Sequence, residues 1–423
     1  MFHSWRSWCN CRAIGVRFVS RCSKNINKHK WIEPRKTRCL NRMKIFRAIL
    51  LLILSVPVIA NADTFWRQYG FNPSHTSYNK SETTLNKFNV DRLALFWTSE
   101  TFRAPGSGPT LGFRSIFIAT GGRVRALRAE TGALQWARLS CSGEGAQQPA
   151  IVEGLLLVGD NGGDLAAYDP TTGDQVWCDD ESGSITSAPA VAEHIVFITN
   201  GVDAVAIDSA TGVRQWTFTA ADFNPLTQTP AIANGRVFVT GGSSVFALDQ
   251  ATGHKIWRHN LETQANISAP SVANRLVYVG GTALYALSVT DGHLVWKSRS
   301  AGVNVTTPAI AEGRVFVNSE DPEFGLFAFS ASNGTLLWRN QMPDEPEATV
   351  TVANGVVYDV ANTGELMMFD SETGAFLASV EDPDGKPFRS QFGSQPIVAD
   401  GIVYVATGDC CSPNRVDAFR LRQ

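Results

Sequence analysis

Two adjacent cysteines, Cys410 and Cys411 in Gly408-Asp-Cys-Cys-Ser-Pro-Asn, are the sharpest chemical feature of this sequence. Neighbouring Cα atoms stand only about 3.8 Å apart, below the usual disulfide window, so joining the two sulfurs requires a strained ring. Strain of that kind serves ligand clamps. The plainer readings are a loop disulfide, or a separate partner for each cysteine. Cys141 and Cys178 read as an ordinary staple between two neighbouring loops. Three acidic runs, Glu320-Asp-Pro-Glu323, Asp344-Glu-Pro-Glu347 and Glu381-Asp-Pro-Asp-Gly, offer oxygens to a Ca²⁺. Asp382-Pro-Asp384-Gly has the start of a calcium loop but lacks its later ligands and distal glutamate, which favours solvated turns. His75, His194, His254, His259 and His293 show no paired metal spacing, and no C-x-x-C-H haem attachment is present. Gly106-Ser-Gly-Pro-Thr-Leu-Gly leads into a strand rather than a helix and is no dinucleotide loop. No nucleophile elbow or serine–lysine signature occurs. No catalytic residue is assigned, and no metal site is expected.

What positions these residues is a repeat. Glycines at 132, 173, 212, 253, 292, 334 and 374 recur every 39–42 residues. A tryptophan follows the first six by four positions: Trp136, Trp177, Trp216, Trp257, Trp296 and Trp338. A small residue precedes them by six: Ala126, Ala167, Ala206, Ala247, Ala286 and Ala328. Within one unit, Pro230-Ala-Ile-Ala, Arg-Val-Phe-Val, Ser-Val-Phe-Ala-Leu-Asp and His-Lys-Ile-Trp are short apolar runs separated by Gly- and Asn-rich turns. Runs this short and rich in β-branched residues are strands. Four strands in about 40 residues make a β-propeller blade. Each tryptophan buries roughly 200 Å² and should be the main glue between blades. A fixed period also means that no unit is stable without its neighbours.

The chain is therefore expected to be all-β, an eight-bladed β-propeller. The eighth unit starts at Pro396 and ends at Gln423, before any Thr-Gly-x-x-x-Trp. Trp97 in Leu93-Ala-Leu-Phe-Trp is a last strand without a unit of its own. The two halves complete each other, so strand 93–99 is expected to close the last blade. Residues 93–423 form the propeller and 63–92 a lead-in. Blade seven departs from the pattern, with Met368 at the small position and Ala378 at the tryptophan position, and is read as a softer blade. Loops between blades share one face with the loops between second and third strands. All four mature cysteines and all three acidic runs map to that loop face.

Residues 43–62 have the form of a secretory signal peptide: a basic start at Met43-Lys-Ile-Phe-Arg47, thirteen apolar residues at 48–60, and Ala60-Asn-Ala62 before Asp63. Cleavage is expected between Ala62 and Asp63. Thirteen residues are too few to span a bilayer. Residues 1–42 hold eleven Lys/Arg against one Glu. We read them as an extension upstream of a true start at Met43, the alternative being a basic targeting arm from Met1. Without residues 1–62, which contain 13 of the 37 basic and one of the 39 acidic side chains, the remainder keeps 24 and 38, a net charge of −14. Such a surface argues against nucleic acid and anionic membranes as partners. The mature protein is expected to be a monomer, periplasmic or secreted.

The pattern Ala-Leu-Asp-x-x-Thr-Gly-x-x-x-Trp resembles the tryptophan-docking repeat of the eight-bladed quinoprotein-type propellers, the pyrroloquinoline quinone (PQQ) repeat family. Trp66-Arg-Gln-Tyr-Gly-Phe-Asn-Pro-Ser-His-Thr-Ser-Tyr resembles the opening of its secreted members. The family includes PQQ-dependent alcohol and sugar dehydrogenases and the cofactor-free propeller lipoprotein of the outer-membrane β-barrel assembly machinery. For an enzyme member the resemblance implies PQQ with Ca²⁺, a carboxylate base and an aromatic floor at the propeller axis. It also implies an adjacent-cysteine disulfide against the cofactor, which makes Cys410 and Cys411 candidate cofactor-binding residues. Here that pair lies in the last blade, whereas the family's pair belongs to an early one.

Three readings follow: a binding scaffold for a protein, glycan or envelope component; a PQQ-dependent dehydrogenase of an alcohol or sugar; and an enzyme of another class built from the long loops. The first is preferred. The repeats are regular and the chain compact, which leaves little room for added cofactor ligands, and fold alone assigns no function.

Overall fold

Every repeat unit becomes one antiparallel sheet, and the eight sheets stand around a common axis. The protein is described from a computed structural model. It describes residues 65–422 except 101–107, 180–182, 221–224, 263–266, 300–304, 320–323, 344–347, 362–364, 382–393 and 408–413. The innermost strands of blades 1 to 8 are Thr110–Gly112, Ala150–Val152, Ala190–Ala192, Ala231–Ala233, Ser271–Ala273, Ala309–Ala311, Thr351–Ala353 and Ile397–Ala399. In blade 4 the sheet continues outward through Arg236–Gly241, Ser244–Asp249 and Lys255–Asn260. In blade 8 the outermost strand is Leu93–Thr98, paired antiparallel to Arg415–Leu421, so Trp97 stands opposite Ala418. No helix among the described residues is long and apolar enough to cross a membrane.

The docking geometry explains the repeat. Trp257 stands opposite Ala247 on its own sheet and lies on Gly292 of the next blade, where a Cβ would approach its ring to 2.5 Å. Its Nε1 donates to the Val289 carbonyl at 3.0 Å. Gly292 has φ +72°, so both conformation and space exclude a side chain there. The same contact joins Trp97 to Gly132, Trp136 to Gly173, Trp177 to Gly212, Trp216 to Gly253, Trp296 to Gly334, and Trp338 to Gly374. A register shift just before each tryptophan turns its predecessor outward, leaving Val176, Ile256, Val295 and Leu337 exposed. Bulges of this sort twist an edge strand away from further pairing.

Blade 7 fills its docking position differently. Met368 and Ala378 stand opposite each other, so the large and small positions have exchanged. The eighth blade has no Thr-Gly turn to receive a tryptophan, because its outer strand comes from the other end of the chain. Leu85 and Val90 of the lead-in, with Leu93 at the start of the blade 8 outer strand, occupy this seam instead, packed with Met368, Leu377 and Ala378. Lys87 pairs with Asp370 at 3.0 Å, tying the lead-in to the blade 7 turn.

Candidate functional site

Closing the ring leaves one problem open. Each innermost strand still presents an unpaired edge to the axis, and buried backbone N–H groups require partners. The lead-in supplies them. Trp66 exchanges two 3.0 Å backbone bonds with Leu111 of blade 1, and Arg67 accepts from Ile151 N of blade 2 at 2.7 Å. The side chain of Gln68 stands in for a strand at blade 3: its Oε1 accepts from Val191 N at 2.7 Å, and its Nε2 donates to Val191 O at 3.2 Å. Pro73, Ser74, Thr76 and Ser77 carbonyls accept from Ile232, Val272, Ile310 and Val352 of blades 4 to 7 at 2.7–2.9 Å. Asn79 Nδ2 donates to Val398 O of blade 8 at 2.8 Å. Residues 66–79 thus visit all eight innermost strands and fill the axis. So tight a course requires left-handed backbone at Phe71, His75 and Ser77, with φ of 75°, 54° and 52°. The chain leaves past the first-to-second-strand turns: Leu85 O accepts from Asn354 Nδ2, and Glu82 from Gly401 N. The plug therefore closes the channel away from the loop face.

Above the plug, the described residues nearest the axis are neutral. The residues two positions before the innermost strands include Gln148, Thr229, Thr307, Thr349 and Gln395; the other three are Gly108, Ala188 and Ala269. None carries a charge. Tyr69 reaches up among them, its hydroxyl between Thr307 Oγ1 at 2.9 Å and Thr349 Oγ1 at 3.1 Å. Burial raises its pKa, so it stays a neutral phenol. The His75 ring packs edge-on against Tyr69, with centroids 5.1 Å apart. Its Nδ1 lies 3.0 Å from Pro270 O, and burial pushes its pKa down to about 4, so it too is neutral at ordinary pH. His75 Nε2 and Ser77 Oγ are buried without a hydrogen-bond partner. Among the described residues at these positions there is no carboxylate to serve Ca²⁺ and no cation to face an anionic quinone.

At the loop face, Cys141 and Cys178 form a disulfide with Cα atoms 6.4 Å apart, joining blades 1 and 2. The Asp164 carboxylate lies with the two sulfurs within 4.8 Å, but bonded sulfurs have no thiolate to give a cation. Asp160, buried below, accepts from Ser142 N and Asp164 N at 3.1 Å each. These contacts preorganise one corner of the loop face. With a sequence separation of 37, replacing both cysteines by serine is expected to cost about 3–4 kcal/mol. An unchanged urea midpoint would show that the bridge adds nothing.

Cys410 and Cys411, the acidic residues 320–323 and 344–347, Asp382 and Asp384, and the cleavage pair Ala62 and Asp63 lie outside the described residues. Sequence reasoning placed function on the loops and missed the axial plug. The available signal was the polar, aperiodic stretch 66–79 beside eight strand edges in need of donors and acceptors.

The sequence matches the family described as outer membrane protein assembly factor BamB over residues 81–246 and 241–409. A search of curated proteins returns no match. Among solved structures, the chain is similar to a quinohemoprotein alcohol dehydrogenase from Comamonas testosteroni, with 16% identity, 86% of this chain and 81% of that one covered, and TM-score 0.72. A europium-containing methanol dehydrogenase matches with 13% identity, 85% and 98% coverage, and TM-score 0.72. The BamB protein of Moraxella catarrhalis matches with 15% identity, 76% and 100% coverage, and TM-score 0.60. At these identities the likeness concerns the fold.

Proposed function

The chain belongs to the family described as outer membrane protein assembly factor BamB, and from that membership we propose that it is an exported, non-catalytic propeller. It binds a protein, glycan or other envelope component through its loop face. The observation that carries this reading is the plugged axis, whose described residues above the plug are neutral. Where a quinoprotein enzyme needs Ca²⁺ ligands and counter-charges for its cofactor, this chain places Gln148, Thr229, Thr307, Thr349, Gln395 and Tyr69. Recognition then falls to the loops, where propellers vary without disturbing blade docking. The Cys141–Cys178 bridge supports the same role by fixing one part of that surface. Export rests on the signal-like segment 43–62 and on this disulfide, which persists in oxidising compartments.

A second reading, a PQQ-dependent dehydrogenase, draws support from the fold-level likeness to two alcohol-oxidising enzymes. Calorimetric titration of the chain from Asp63 onward with PQQ and Ca²⁺ separates the two. The scaffold reading expects no saturable heat at high micromolar PQQ. One-to-one binding, with the quinone absorbance bleached by an added alcohol, would replace it with the enzyme.

A further inference from the structure

The seam between blades 6 and 7 contains a carboxylic acid where the repeat calls for a hydrocarbon. Asp359, on the second strand of blade 7 (Val356–Val360), occupies the position filled by Ile118, Val158, Ile198, Val239, Val279, Val317 and Val405 in the other blades. It is fully buried and faces Asn318 at the end of the second strand of blade 6 (Arg314–Ser319), also fully buried. Asn318 Nδ2 donates to Asp359 Oδ1 at 3.0 Å and to the Ala348 carbonyl at 3.1 Å. Asp359 Oδ1 also accepts from Val360 N at 2.9 Å. What remains is two acceptors, Asp359 Oδ2 and Asn318 Oδ1, both buried and without a partner. They belong to two side chains already joined by one hydrogen bond. A single hydrogen on Oδ2 pairs them and turns the contact into a cyclic acid–amide dimer.

We propose that Asp359 and Asn318 form a one-proton clasp between blades 6 and 7, complete when Asp359 is protonated and opened by its ionisation. Ionised, Asp359 would be a buried charge with no cation beside it, set against the Asn318 oxygen. The clasp reaches the functional end of the molecule through Ala348. Its carbonyl is held by Asn318, and the next residue, Thr349, is a partner of the Tyr69 hydroxyl in the axial well. Loss of the clasp therefore loosens the entry to blade 7 on the loop face.

The surroundings contain little else that titrates. Among the described residues, the facing side of blade 6 carries Arg314, at the far end of its strand, and Glu312 in the turn before it, whose carboxylate accepts from Ser371 Oγ of blade 7 at 2.9 Å. The third strand of blade 7 (Leu366–Asp370) pairs Met367 with Asp359 and carries Asp370 at the opposite end. Glu365, just before that strand, lies beyond Met367 on the same side. The fourth strand (Phe376–Val380) and the innermost strand carry no charge. Tyr78 of the plug packs in the same cluster. Among the described residues no charged partner acts on Asp359; burial, against the Asn318 and Val360 hydrogen bonds, moves its pKa up to about 7. An unfolded aspartate loses its proton near pH 3.9. Between these values the folded chain binds more protons than the unfolded one. Stability is therefore greatest below the window, falls as pH rises through it, and levels off above about 7.

The test is thermal unfolding of the full chain from pH 5 to pH 9 beside Asp359→Asn, whose amide can make both hydrogen bonds of the clasp without titrating. The Tm of D359N relative to the parent should rise by about 3–5 °C across this range. D359V, which installs the side chain of the other blades, should show the same trend. Infrared difference spectra of the parent at pH 6 should contain a protonated-carboxyl band that disappears by pH 9 and is absent from D359N. A Tm difference that stays constant with pH, or a parent without that band, overturns the proposal.

Discussion

A chain shortened to begin at residue 81 is expected to lose cooperative unfolding, although every strand that carries a docking tryptophan is intact. The deletion removes Trp66, which is 1% exposed, and a buried tryptophan is worth about 3–5 kcal/mol. It also removes the lead-in partners of the innermost strands, among them Leu111, Ile151, Ile232, Val272, Ile310 and Val352. Each such hydrogen bond contributes about 0.5–1.5 kcal/mol net. The total approaches the whole stability of an ordinary domain, about 5–15 kcal/mol. Urea unfolding followed by tryptophan fluorescence should become broad and shift to low denaturant. Amide exchange should rise first in the innermost strands. A sharp transition near the parent midpoint would show that the plug fills the axis without holding the blades.

Restoring the repeat at its one break is expected to destabilise the protein. Trp257→Ala removes an indole that is 7% exposed, with its hydrogen bond to Val289, and should cost about 3–5 kcal/mol. By sequence logic Ala378→Trp ought to return the same amount. At that seam, however, Met368 stands opposite, and Leu85, Val90 and Leu93 already pack against the position. The eighth blade has no Thr-Gly turn on which an indole could rest. The new side chain must displace the lead-in, a form of overpacking that costs about 1–3 kcal/mol. Urea midpoints of the two variants should both fall. A rise for A378W would mean that the lead-in packs there only loosely and yields to a better partner.

The sequence alone determined the blade, its period and the number of blades. The reason is that docking repeats its chemistry: the glycine needs φ near +70° and no Cβ, the tryptophan needs that bare turn, and the alanine makes room beside it. Each constraint acts within about 40 residues or between adjacent units, so it leaves a periodic trace. The Cys141–Cys178 bridge was legible because both cysteines stand near the loop-face ends of outer strands in adjacent units, Cys178 within Gln175–Asp179 and Cys141 just past Leu134–Leu139.

Tertiary structure decided everything that happens once rather than eight times. Residues 66–79 bond mostly through backbone carbonyls, which any side chain can accompany, so their role as a plug left no pattern to read. Met368 and Ala378 looked like a defect because the Leu85, Val90 and Leu93 that fill their seam are distant in the chain. Asp359 drew no notice in the sequence, because its partner Asn318, with an unpaired oxygen, stands on the neighbouring blade. A repeat records interactions between equivalent positions. Contacts between unlike parts of the chain exist only once the ring has closed and brought its two ends and its axis together.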